Sequence, residues 1–562
     1  MSPVQADPPS DETTSLPVAV AVPVAVPVPV LVVGAGPTGL ALNLLLERFG
    51  IASLMVERRT VPSTLPKARA VNTRTMEVFR QLGVADEITG AALGQESTGL
   101  RFAFARTLVS LDEPDTLLAR SVVAGRRAAH SPEATVVCPQ DSVEDILRRR
   151  IPSGRVQYGV ALTRLEQDDE HVTATLTAPD GTSRLLRCRY VVGCDGARSA
   201  VREALGVALR GGGPTAENRH ILFEARLDPL LGDRRASITF LHADGVRGYL
   251  QPARQPDRWT FNHVLGEGSS ASPRSAEAVV RTVIGRTEVP LTVLEEGSWT
   301  SRSQVAERLS AGRVLLAGDA AHLVTPFSGS GLNLGVQDAH NLAWKLAAVL
   351  RGWAGPGLLD SYDTERRPVA EWTAREDRAN NADALDTGTW DRWRTELPKR
   401  RVKDGLILGF HYERGALIPE GSPPPTTADP YTHYEPTARP GHRAPHHPMG
   451  PDGGRTSLLD LFGPGLTLLT GPEGTTWAGA AAQVAARLGI PLKAHVLGRD
   501  PQGIDPAWPD LYGITGGGAV LVRPDGHTAW REPGARPREQ AVETLDRTLR
   551  TILYRVVHGA GG

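Results

Sequence analysis

An apolar run over residues 26–36, ending VPVLVVGAG, leads directly into PTGLALNLLLERFG at 37–50. The run reads as a strand buried on both sheet faces. The next stretch has helical periodicity and closes on Gly50, a suitable C-cap. IASLMVERR (51–59) reads as a second strand. Strand, helix and strand make a βαβ unit, whose right-handed crossover puts both strands in one parallel sheet. The turn between strand and helix is Gly34-Ala35-Gly36-Pro37-Thr38-Gly39. Gly34 permits the tight turn, Gly36 lets a pyrophosphate approach the backbone, and Gly39 lets the helix lie close to the strand. The helix N-terminus then offers free amides to phosphate oxygens. Glu57 ends the second strand, where an acid is expected for ribose hydroxyls, and it would repel a 2′-phosphate. The spacing therefore predicts an FAD or NAD cradle at this turn and argues against NADP there.

Beyond the cradle, 562 residues exceed what one core accommodates, so two or three domains are expected. The formal net charge of -1 gives no electrostatic reason to expect nucleic acid or an anionic membrane as partner. Residues 17–33 are apolar, but prolines at 17, 23, 27 and 29 break any long helix, and no basic segment precedes them. Residues 1–26 are accordingly read as a disordered extension of a soluble chain. The three cysteines, Cys138, Cys188 and Cys194, form no CxxC pair, which predicts neither disulfides nor a zinc site and fits a reducing cytoplasm.

RTMEVFRQLGV (74–84) and DSVEDILRRRI (141–151) read as amphipathic helices, and the chain from 155 to 195 as antiparallel strands returning to a buried one. Strand-like runs over 221–265 suggest a separate sheet. RVLLAGDAAH (313–322) reads as a buried strand entering a loop, and LGVQDAHNLAWKLAAVL (334–350) as a strong helix. A proline- and glycine-rich stretch near 415–455 resembles a linker. The remainder alternates strand, helix, strand and hairpin.

Three motifs in order now resemble the class A flavoprotein aromatic hydroxylases, a family that includes p-hydroxybenzoate, phenol and aromatic polyketide hydroxylases. They are GAGPTG with Glu57; Cys194-Asp195-Gly196-Ala197-Arg198-Ser199; and Gly318-Asp319-Ala320-Ala321-His322, continued by Pro326-Phe327-Ser328-Gly329-Ser330-Gly331-Leu332-Asn333 and the helix after it. The resemblance implies an α/β and α+β multidomain fold. Its parts are a Rossmann-like FAD-binding domain (27–205 and 306–415), an interleaved β-sheet substrate domain (206–305), a linker (416–454) and a thioredoxin-like domain (455–562).

It also implies roles. Glu57 with the adjoining Arg58 would serve the adenosine end of FAD, and Arg69 the pyrophosphate. Gln140 and Asp319 would contact the ribityl chain. Asp195 and Gly196 would lie against FAD on the path of NADPH or NADH. The turn of Gly329, Gly331, Leu332 and Asn333 would bring backbone donors to the flavin pyrimidine edge, where they stabilise negative charge on reduction. The Pro326 carbonyl would face the substrate, so Pro326, Gly331 and Asn333 are the catalytic support. Thr325 and Phe327 depart from the family's Pro-Pro-x-Gly-x-Gly loop, so the resemblance carries over cofactor binding more directly than substrate specificity. Phe240, Tyr249, Phe261 and His263 are candidates for the pocket floor with Phe327, although strand alternation turns only some of them inward.

The implied reaction uses NAD(P)H and O2 to hydroxylate a phenolic or polycyclic aromatic through a flavin C4a-hydroperoxide. The alternatives are Baeyer–Villiger insertion on a ketone, or a flavin- and aromatic-binding protein without turnover. No cysteine lies beyond Cys194, so the thioredoxin-like domain is expected to be structural or to stabilise a homodimer or higher homo-oligomer. His442, His446 and His447 are read as a solvated loop rather than a metal site, and His322 as structural.

Overall fold

The computed structural model describes residues 28–62, 67–92, 101–111, 117–120, 129–265, 274–325, 329–385, 403–450, 456–498, 504 and 507–555. The N-terminal extension, Pro326 and Phe327 lie outside them.

The first sheet places the βαβ unit at its centre. Its order is Ser310–Ala311, Val314–Leu316, Ser183–Gly193, Val28–Val33, Ser53–Glu57 and Val156–Tyr158, with Ala161–Gln167 and Val172–Thr177 branching from the long third strand. Val28–Val33 pairs in parallel with both neighbours. Val30, Leu31 and Val32 are fully buried, the result expected when helices cover both faces of a parallel strand. Helix Pro37–Arg48 packs against helix Gly331–Leu350, and small residues set the approach. A Cβ on Gly335 would stand 2.2 Å from Thr38 Oγ1, and one on Gly318 2.5 Å from the same atom.

The second sheet has the order His322–Leu323, Thr292–Ala306, Leu209–Glu224, Arg258–Leu265, Val246–Pro252, Ile238–Ala243, Arg101–Ala105 and Leu117–Arg120. Two of these strands, Arg101–Ala105 and Leu117–Arg120, come from a segment that the sequence reading assigned to the cofactor domain. Arg101–Ala105 pairs in parallel with Ile238–Ala243, a long-range pairing that leaves no local turn to read. One face of this sheet buries Ala103, Ile221, Phe223, Leu241, Leu250, Trp259 and Phe261 against helix Ala276–Ile284. On the other face, Thr260 meets Arg69 of the N-terminal segment.

The C-terminal sheet runs Leu492–Val496, Leu466–Thr470, Ala519–Val522, Thr528–Glu532. Its first pair is parallel and bridged by helix Thr475–Leu488; the last two strands form an antiparallel hairpin followed by helix Arg538–Ile552. This is the thioredoxin topology, βαβ followed by ββα.

The stretch expected as a linker has little regular secondary structure but is not a solvated tether. Ala438 and Ala444 are fully buried. Buried Arg443 donates from Nε to Glu77 Oε2 at 2.9 Å and from Nη1 to Tyr434 Oη at 3.1 Å. His442 stacks on His411 with ring centroids 4.3 Å apart, and buried His446 meets Ser457 Oγ at 2.7 Å. The solvated-loop reading is therefore corrected for His442 and His446. Proline and glycine richness reports the lack of repeating backbone structure, which says nothing about burial.

Candidate active site

The glycine turn is held from three sides. Gly34 adopts φ 105°, open to glycine, and a Cβ there would stand 2.4 Å from the Cys194 carbonyl oxygen. Gly34 N–H donates to the Val56 carbonyl at 2.8 Å. Glu57 Oε2 accepts from Ala35 N–H at 3.0 Å, and Oε1 from Arg59 N–H at 2.9 Å. The Glu57 carboxylate thus anchors the loop while keeping lone pairs for a ribose. Arg58 lies exposed past the strand end. A Cβ on Gly36 would meet nothing within 4 Å, and no side chain caps the helix that begins at Pro37. Uncapped amides beside an open glycine fit a diphosphate.

Opposite this turn, Gly318 N–H donates to Asp338 Oδ2 at 3.1 Å. Asp338 also accepts from Arg366 Nε at 2.8 Å and pairs with His322 Nε2 at 2.6 Å, all of them buried. His322 is therefore structural, fixing the strand end that presents Asp319. Asp319 keeps exposed surface, yet the protein around it is dense enough that burial raises its carboxyl above the usual range. A Cβ on Gly331 would stand 3.8 Å from Asp319 Oδ1. The acid thus borders the start of helix Gly331–Leu350, which also lacks a side-chain cap.

Asn333 joins this helix to the segment carrying Arg69. Its Nδ2 donates to the carbonyls of Ala70 and Gly329, each at 2.8 Å, and its Oδ1 accepts from Asn72 N–H at 2.8 Å. With its amide so engaged, Asn333 positions the turn. Gly329, at φ 58°, brings that turn beside Ala70: a Cβ on it would lie 3.6 Å from Ala70 Cβ. Leu332 is buried beneath the turn.

Gln140 Oε1 accepts from Ala68 N–H at 3.1 Å, and Gln140 N–H donates to the Ala68 carbonyl at 2.9 Å. Arg69 is thereby aimed at the second sheet, where its Nη2 donates to Thr260 Oγ1 at 2.8 Å. Its Nε and Nη1 are buried without a partner, and burial lowers the guanidinium to about 10. A buried cation with two unpaired nitrogens fits an anionic ligand. Asp195 turns its carboxylate onto its own loop, accepting from Ser199 Oγ at 2.5 Å and Val201 N–H at 3.2 Å. Gly196, at φ 84°, follows it with bare backbone.

Register decides the pocket candidates. Phe240 pairs with Tyr249, and Tyr249 with Asn262. Phe104, Phe240, Tyr249, Asn262, Thr260 and His220 therefore share the face that Arg69 touches. Phe104 and Phe240 stack at 4.8 Å, and Phe240 and Tyr249 lie 6.1 Å apart. Phe261 and His263 have the opposite phase. Phe261 packs into the core against helix Ala276–Ile284, and His263 stacks on it at 6.3 Å. Both are corrected from pocket floor to the sheet's far side. Thr260, Asn262, His220 and Phe104, which the sequence analysis did not single out, lie on the face that Arg69 touches. The parity of the strand, once phased by one known contact, would have found them.

An uncapped helix start beside an open glycine, an acid at the start of a second uncapped helix and a buried arginine with unpaired nitrogens are groups of the kind that FAD requires. Comparisons with known proteins agree. The family described as FAD binding domain matches residues 27–377, and that described as aromatic-ring hydroxylase, C-terminal, matches residues 437–555. The chain is 36% identical to aklavinone 12-hydroxylase RdmE of Streptomyces purpurascens over 541 residues, covering 93% of this chain and 98% of that one. It is also 36% identical to the tetracenomycin B2 monooxygenase-dioxygenase of Streptomyces olivaceus, with the same coverage. Among solved structures, the flavin-dependent monooxygenase PieE in complex with FAD and substrate superposes with TM-score 0.85 at 31% identity, covering 95% of this chain and all of that one. Aklavinone-11 hydroxylase with FAD and aklavinone gives 0.82 at 35%, covering 94% and 99%. The chain belongs to the FAD-dependent aromatic-ring hydroxylases.

Proposed function

We propose that this enzyme hydroxylates a phenolic ring of a polycyclic, polyketide-type aromatic, using NADPH or NADH and O2. The observation that carries the substrate class is the row Phe104, Phe240 and Tyr249 on the side of the second sheet that Arg69 touches. A row of aromatic rings, Phe104 stacked on Phe240 and Tyr249 tilted against it, suits a flat aromatic partner. The relatives' names point the same way, since they act on aklavinone and tetracenomycins.

Bound FAD would supply acceptance of a hydride and activation of dioxygen. The protein's tasks are then to bind, orient and exclude water. In this reading the Gly34–Gly39 turn and Arg69 hold the diphosphate, while Glu57 and Asp319 take the ribose and ribityl hydroxyls. Gln140 fixes Arg69, and Asn333 fixes the Gly329–Gly331 backbone that faces the pyrimidine edge. Gly196 would offer backbone beside the cofactor, and Pro326 and Phe327 would border the substrate. The 206–305 region is read as the substrate platform, joined by strands from 101–120. Three buried, free thiols suit a reducing cytoplasm.

The test follows NADH and NADPH oxidation with a panel of polycyclic phenols under 18O2. One labelled oxygen on an intact ring supports the reading. Label in a lactone or ring-opened acid moves the chemistry to Baeyer–Villiger insertion, and oxidation indifferent to every phenol overturns the substrate class.

A further inference from the structure

Buried polar atoms left without a hydrogen-bond partner are costly, and a group of them in one place marks where something else completes the structure. Two such residues lie close together where the Arg69 segment meets the second sheet, Arg69 with its Nε and Nη1 and His220 with its Nε2, and Asn218 Oδ1 is a third such atom further along the His220 strand. Asn218 and His220 are two apart on one strand, so they share a face. His220 pairs in register with Asn262, two residues from the Thr260 that holds Arg69.

The chemistry of His220 follows from its other nitrogen. Nδ1 lies 2.8 Å from Asn262 Oδ1. An amide oxygen only accepts, so Nδ1 carries the hydrogen and Nε2 presents a lone pair. Burial lowers the pKa of the ring; Arg69 and Lys67 lower it further, against Asn262 and Glu295. The imidazole is neutral at pH 7, an acceptor at Nε2.

We propose that His220 Nε2 accepts the hydrogen bond of a substrate hydroxyl, with Asn262 holding the ring in the accepting tautomer, so that the site selects a phenol at this position. The proposal rests on the hydroxylase reading above. A hydroxyl held by an acceptor also releases more electron density into its ring, which suits attack by an electrophilic oxygen. In these roles His220 touches substrate, and Asn262 is a positioning residue.

The experiment uses the holoenzyme, the panel phenol that most stimulates NAD(P)H oxidation, and its mono-deoxy analogues. Dissociation constants are read from flavin fluorescence. Binding the analogue that lacks the hydroxyl leaves a buried acceptor unpaired, so wild type is expected to bind one deoxy analogue about 100-fold more weakly than the phenol. His220→Phe should lower that ratio at least about 10-fold while FAD content is retained. His220→Gln, which keeps an acceptor, should hold the ratio above that of His220→Phe, and Asn262→Leu should lower the wild-type ratio about 10-fold. His220→Phe with bound FAD and an undiminished ratio overturns the proposal. Where that variant does not fold, an undiminished ratio in Asn262→Leu overturns it instead. If no phenol stimulates wild type, the hydroxylase reading fails first and takes this inference with it.

Discussion

A methyl group on Gly39 would stand 2.1 Å from the Gly34 carbonyl oxygen, far inside van der Waals contact. Gly39→Ala must push the first helix off its strand. Overpacking of this kind costs about 1–3 kcal/mol, about ten- to hundredfold in FAD affinity if the strain falls on the cradle. Flavin fluorescence after ultrafiltration measures it. Asn333→Ala unpairs one N–H and two carbonyls, and at about 1–3 kcal/mol for a buried unpaired group it should lower both stability and FAD affinity. Denaturant unfolding of apo and holo protein separates the two effects. The glycines were legible because a turn that tight admits little else. Asn333 was legible as part of the flavin loop, but its task was not, since a side chain's bonds to residues 70 and 72 are invisible at 333. Phe261 and His263 were misplaced for a different reason. Arg258–Leu265 is buried on both faces, so no exposed polar row sets the phase of the alternation.

The helix Gly331–Leu350 carries one polar stripe from the strand end at Gly318 to the C-terminal domain. Asp338 serves the strand end at Gly318. Asn341 donates to Glu365 Oε2 at 2.7 Å and Asp525 Oδ2 at 3.1 Å, and Lys345 meets Glu365 at 2.8 Å. Arg523, on the C-terminal hairpin, grips Glu365 with two 2.8 Å bonds and sits between the rings of Trp344 and Tyr412. Burial alone would raise the Glu365 carboxyl, but Arg523 and Lys345 hold it down to about 2. Arg523→Met would leave this cluster with an uncompensated buried charge, at about 3–5 kcal/mol. We expect a clear fall in Tm by calorimetry, and a smaller one when Glu365→Gln is combined with it. The helix itself was legible from 334 onward by its period. Its first turn was not, because Gly331 inside a Gly-Ser-Gly run reads as loop. The ionic turn was legible only as a hairpin: Arg-Pro-Asp-Gly announces a reversal of the chain, and nothing local announces that it is buried against a helix nearly two hundred residues earlier.

Across the whole molecule, several histidines are neutral by burial. His340 is lowered to about 3 and His527 to about 4, both chiefly by desolvation. Unfolded, each would titrate near 6.5. Their contribution is fully present above about 6.5 and is lost as pH falls, because only the unfolded chain takes up the proton, at about 1.4 kcal/mol per pH unit for each. Glu77 and Glu365, both held to about 2 in the fold, add a further loss below about 4.5. Tm should be flat from pH 8 to about 6.5 and then fall with increasing slope. The three-part architecture was legible because each part has its own local period. The borrowing of Arg101–Ala105 by the second sheet was not, since its partner Ile238–Ala243 lies far along the chain. That borrowing has a consequence during synthesis. The strand with Phe102 and Phe104 leaves the ribosome long before its partner exists, and at about 5–20 residues per second it waits for many seconds with its backbone edge and both rings unmatched. The nascent chain is therefore exposed to aggregation until translation passes residue 243 and remains incomplete until the last cofactor-sheet strand, Val314–Leu316, has emerged. Soluble yield should respond to holdase chaperones and to cooler expression before it responds to added flavin.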